Sequence, residues 1–116
     1  MIGAAILLLL QAAPAAPGDW KQFSSGDYGA EIEVGSIARN GDLRTFRMRS
    51  TKKGASKWAI VAITLDCKAR TMTLGVAELY EGDTRTGTNP ADPAAAPISL
   101  AGDPSGTAIG DFVCAK

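Results

Sequence analysis

Twelve residues, Lys57 to Lys68 (KWAIVAITLDCK), constrain the fold more than any other stretch of this chain. Trp58, Ile60, Val61, Ile63 and Leu65 make the run nearly continuously apolar and rich in β-branched residues, with no Gly or Pro. Such a run suits a strand covered on both faces, hence one in the middle of a sheet. It ends at Cys67, and the only other cysteine, Cys114, lies two residues from the last residue of the sequence. We read the two as a disulfide tying the tail to the central strand. Closing that loop of 46 residues stabilises a fold by about 4 kcal/mol in the chain-entropy account.

A chain of 116 residues suffices for one domain. Residues 2–10 (IGAAILLLL) form a short apolar run followed by the small, Pro-rich QAAPAAPG. This is the pattern of a signal peptide with Ala13-Pro14-Ala15 at the cleavage site, so residues 1–15 are expected to be a leader and 16–116 the mature domain. The run falls short of the roughly 20 apolar residues a spanning helix needs. No cysteine stands at its end to carry lipid, which predicts an exported product that is not a lipoprotein, in the periplasm, at the cell surface or secreted. Export to an oxidising space agrees with reading Cys67 and Cys114 as a bridge.

The rest of the chain is punctuated as an antiparallel sheet. Asp19 to Phe23 reads as a first strand, and Ser24 to Asp27 as a turn. Tyr28 to Val34 alternates, with Tyr28, Ala30, Ile32 and Val34 on one side and Glu31 and Glu33 on the other. Asn40-Gly41 is the strongest hairpin signal, and the strand returns from Leu43 to Ser50 with Phe46 and Met48 facing the core. A two-residue turn at Asn40-Gly41 would set Val34 against Arg47. A bulge at Gly35-Ser36 repairs this, setting Ile32 against Met48 and Val34 against Phe46. It also predicts two cross-strand ion pairs, Glu33–Arg47 and Glu31–Arg49.

After the central strand, Thr71 to Tyr80 is expected to place Met72, Leu74, Val76 and Tyr80 on one face. Residues 81–96 read as a long polar, mobile loop, a spacer or a second recognition element. Pro97 to Leu100 follows as a short edge strand. Asp103-Pro104 then marks a helix start, with Ile109, Phe112 and Val113 on its docking face. The expected class is therefore mainly β (α+β): a single antiparallel sheet of about five to six strands with a short C-terminal helix held by a disulfide.

The chemistry of the sequence argues against an enzyme. It has no histidine, and a bridge would occupy both thiols. Gly35, Gly41, Gly54 and Gly75 stand singly rather than in a phosphate-cradling loop. No catalytic residue, metal site, cofactor or nucleic-acid partner is expected. Formal charge is zero, yet nine basic and only two acidic residues fall between Arg39 and Arg70.

The early Trp20, the segment Glu33 to Gly41 after a Tyr-led strand, Asp66-Cys67 at the end of the central strand and the terminal Phe112-Val113-Cys114 together resemble the surface-adhesin protein E family, over essentially the whole mature chain. The resemblance implies a small exported bacterial domain with an antiparallel sheet and a terminal segment held by one disulfide. It also implies that an exposed surface binds host matrix or plasma proteins. The candidate surface in this chain is basic: Arg44, Arg47, Arg49, Lys52, Lys53 and Lys57. The alternative is that these are solvated charges that keep a sheet edge from aggregating. Tyr28 and Trp58 are contact aromatics or core residues. The competing function is an envelope protein that docks a periplasmic partner and has no host ligand.

Overall fold

A computed structural model describes residues 19–24 and 27–116; the expected leader, residues 1–15, lies outside them. The described residues are mainly β, as the alternation suggested, with one antiparallel sheet and one helix among them. Strand β1 spans Trp20–Ser24, β2 Tyr28–Glu33, β3 Ala38–Asn40, β4 Leu43–Lys52, β5 Lys57–Asp66, β6 Thr71–Glu81, β7 Thr84–Asn89 and β8 Ile98–Ser99, and helix α1 spans Pro104–Cys114. Six strands cross the sheet in the order β1-β2-β4-β5-β6-β7. β3 adds to β4 beside β2, and β8 adds to β6 beside β7, so the count exceeds the five or six expected. β5, the apolar run, lies in the middle between β4 and β6.

The hairpin register differs from expectation in an instructive way. Asn40 pairs with Leu43, so the turn residues are Gly41 and Asp42, with Gly41 at φ 61°. Ile32 nevertheless pairs with Met48, and Glu31 with Arg49, as expected. The three-residue offset between the β3 and β2 pairings is absorbed by a 3₁₀ turn over Val34–Ser36 rather than by a one-residue bulge. Val34 thereby leaves the strand. Ser36 heals the break: its hydroxyl donates to the Glu33 carbonyl (2.7 Å) and accepts from the Arg47 N–H (2.9 Å).

Two further expectations are corrected. Part of the polar segment 81–96 is β7, which pairs with β6 from Ala77 to Glu81. Between Val61 and Ile63 the β5–β6 register shifts, so that Gly75 and Val76 together oppose Ala62. A Cβ on Gly75 would stand 3.0 Å from the Ala62 carbonyl oxygen. This bulge inverts the pleat, so Tyr80 emerges on the sheet face opposite Met72 and Leu74.

The core is one face of the sheet closed by α1: Ile32, Phe46, Ile63, Leu65, Leu100, Ile109 and Val113 are buried together. Asp103 caps the helix by accepting the Ser105 N–H, and Pro104 takes its first position, as the sequence indicated. The buried stripe of α1 is Gly106, Ile109, Gly110 and Val113, while Phe112 sits at the rim with its ring centroid 5.2 Å from that of Phe23. Gly110 is needed for close approach. A Cβ there would lie 2.9 Å from Leu100 Cδ1 and 3.0 Å from Arg70 Nη2. Cys67 and Cys114 form the disulfide (Cα–Cα 5.8 Å), joining the turn after β5 to the end of α1. No helix among the described residues is long and apolar enough to cross a membrane.

Candidate binding surface

The six basic residues singled out in the sequence are distributed over three environments. Arg44 shares the parity of Phe46 and Met48, so it points to the helix side, and it is only 4% exposed. Its guanidinium donates to the carbonyls of Val113 and Cys114 at the end of α1 (3.2 and 3.3 Å) and to those of Gly41 and Leu43 (2.9 and 3.0 Å). A buried cation is tolerated here because four carbonyl dipoles, two at the negative end of a helix, surround it.

Arg47 and Arg49 project from the opposite face into ion pairs. Arg47 bridges Glu33 (3.0 Å) and Glu78 (3.4 Å), and Arg49 meets Glu31 at 2.6 Å. Glu33 is 5% exposed, so Arg47 neutralises a nearly buried carboxylate. Side chains stack across four strands in the same layer. The Arg49 guanidinium lies 4.5 Å from the Trp20 ring centroid and 5.9 Å from that of Trp58, and Trp58 stacks on Tyr80 at 4.2 Å. Trp58 Nε1 also donates to the Gly82 carbonyl (2.7 Å). The Tyr80 hydroxyl donates to Glu78 (3.2 Å). Desolvation, reinforced by the Glu78 carboxylate, raises its pKa above the ordinary tyrosine value. Arg47, Arg49 and Trp58 thus belong to a half-buried layer that covers the second face of β5, and each already makes a side-chain hydrogen bond within it.

Lys52, Lys53 and Lys57 remain, at the β4–β5 hairpin, and all three are exposed. None takes part in the ion pairs found among the described residues. Lys52 and Lys57 rim a shallow hollow of about 280 Å³ that is floored by Ala59 and Leu79 and includes Tyr28. Tyr28 is 65% exposed, the most open large apolar side chain described, and the Lys52 ammonium stands 5.8 Å from its ring. Glu81 faces Lys57 across the β5–β6 pair without closing an ion pair, and its carboxylate accepts from the Ser56 hydroxyl at 3.5 Å. The hairpin is therefore a site at which exposed cations and an open aromatic ring adjoin a hollow with an apolar floor. The sequence carries this signal in Lys52, Lys53 and Lys57, but it does not separate them from the three arginines. Comparisons of the chain with protein-family models, with curated proteins and with solved structures found no match.

Proposed function

We propose that this chain is a non-enzymatic, exported binding module that engages host matrix or plasma proteins, or another envelope protein, through the β4–β5 hairpin. The observation that carries this reading is the group of Lys52, Lys53 and Lys57: exposed, without a carboxylate partner among the described residues, and with Lys52 and Lys57 sharing a hollow with the open Tyr28 ring. Cations of this kind steer acidic partners and stay hydrated at the rim of a contact. A bridged cysteine pair is the chemistry of an oxidising compartment, which supports export. The order of features resembling the surface-adhesin protein E family supports the same reading.

The second reading, a periplasmic partner-docking protein, draws on β7. This outer strand is exposed along nearly its whole length, and Arg85 is the one charge on it that would discourage pairing. Protease treatment of intact cells, alongside a periplasmic extract, separates the two. Digestion on intact cells is expected for the surface module, whereas protection until the outer membrane is opened favours the periplasmic one. Charge reversal at Lys52, Lys53 and Lys57 together is expected to weaken capture of the partner at least tenfold. Unchanged capture would refute the hairpin as the contact surface.

A further inference from the structure

Helix α1 covers only part of its sheet face. The row Ala30–Ser50–Ala59–Leu79–Gly87, one pleat beyond Ile32–Met48–Val61–Ala77, crosses five strands. Its side chains are small except for Leu79, and none of them is fully buried. Beyond this row lie Tyr28 and Lys52, paired across β2 and β4. Tyr28 is shared by two hollows, the lysine-rimmed one of about 280 Å³ and another of about 450 Å³ against α1, floored by Met48, Met72 and Ile109. The two meet at Tyr28 and together make a trough beside α1, with Lys52 and Lys57 at one end and Asp27 and Asp103 at the other.

We propose that this trough seats an amphipathic helix of a partner protein, apolar on the side facing Ala59 and Leu79 and acidic where it meets Lys52 and Lys57. This rests on the binding-module reading and names the partner's chemistry. The occupant is a helix because the trough is a sheet face, not an edge. Every strand beneath it already has a neighbour, so a strand laid flat on it would bury its own unpaired backbone groups. A helix satisfies its backbone internally and needs only an apolar stripe to cover a sheet. The small side chains of Ala30, Ser50 and Ala59 leave room for it beside α1, at the usual interaxial spacing of about 8–10 Å. The occupant is acidic because neither Lys52 nor Lys57 has a carboxylate within 4.0 Å among the described residues.

The test uses the natively exported chain and two fluorescein-labelled 16-residue peptides, one with a Leu/Ala stripe and Glu elsewhere, the other with Lys in place of Glu. Fluorescence anisotropy is expected to show at least tenfold tighter binding of the Glu peptide, with the preference reversed in Lys52→Glu/Lys57→Glu. Ala59→Trp, or Ser50→Phe as a second plug, should lower affinity at least tenfold while thermal unfolding shows a folded domain. Equal affinity for the two peptides would overturn the proposal. Lysine-dependent binding that ignores both plugs would also overturn it while leaving the hairpin as a protein contact. Two outcomes would assign the face to another occupant: sedimentation as a dimer that Ala59→Trp dissociates, or binding only to vesicles of anionic lipid.

Discussion

Arg44 shows how one side chain can serve the fold while looking like a surface charge. It stands two residues before Phe46, so strand alternation alone places it on the core side, and the sequence carried that signal. What alternation does not reveal is why a cation is acceptable there. That depends on the carbonyls of Val113 and Cys114, which arrive from almost seventy residues away. Arg44→Ala would leave these acceptors under-satisfied and open a cavity, so a loss of about 2–4 kcal/mol is expected. Arg44→Lys should recover only part of it, because an ammonium lacks the planar fork that reaches several carbonyls at once. Urea unfolding of both variants measures this; wild-type stability in Arg44→Ala would refute the assignment. The ion pairs Glu31–Arg49 and Glu33–Arg47 were legible for a simpler reason. They follow from register, and register follows from keeping Ile32 and Met48 on the core side.

At the level of the element, the most readable pieces were those with a strong period or a cap. β5, β4 and the start of α1 fall where pattern and capping chemistry put them. Asp103→Ala should lower stability by about 1 kcal/mol, the usual worth of an N-cap, and the melting temperature by about 4–8 °C in a domain of this size. Asp103→Asn should retain most of it. An unchanged melting temperature in Asp103→Ala would show that Pro104 and the disulfide hold the helix start without the cap. The elements that escaped sequence reading lack a period. β7 (TRTGTN) is polar on both sides and carries a mid-strand Gly, so nothing in it alternates. It is a strand because the Gly82 turn folds it back on β6, where backbone pairing supplies what side chains do not. The β6 bulge is equally silent in sequence. A lone Gly75 permits it, but the decision lies in the carbonyl of Ala62 on the next strand.

Across the whole molecule, the Cys67–Cys114 bridge and Arg44 converge on the end of α1 from the turn after β5 and from β4. Replacing both cysteines by serine is expected to cost about 4 kcal/mol. Because bridge and guanidinium hold the same helix end, combining this change with Arg44→Ala should cost less than the separate losses added together. Denaturant melts of the four proteins in this cycle measure the coupling, and strict additivity would show that the two act independently. The sequence by itself determined the fold class, the central strand, the helix start and the disulfide, since each follows from local periodicity, capping or the presence of only two cysteines. Only the tertiary structure decided which cations are free. Whether an arginine is buried, paired or open depends on the groups that long-range strand pairing and helix docking bring beside it. Arg44, Arg47 and Arg49 acquired carbonyl or carboxylate partners in this way, whereas Lys52, Lys53 and Lys57, at the β4–β5 hairpin, have no carboxylate partner among the described residues.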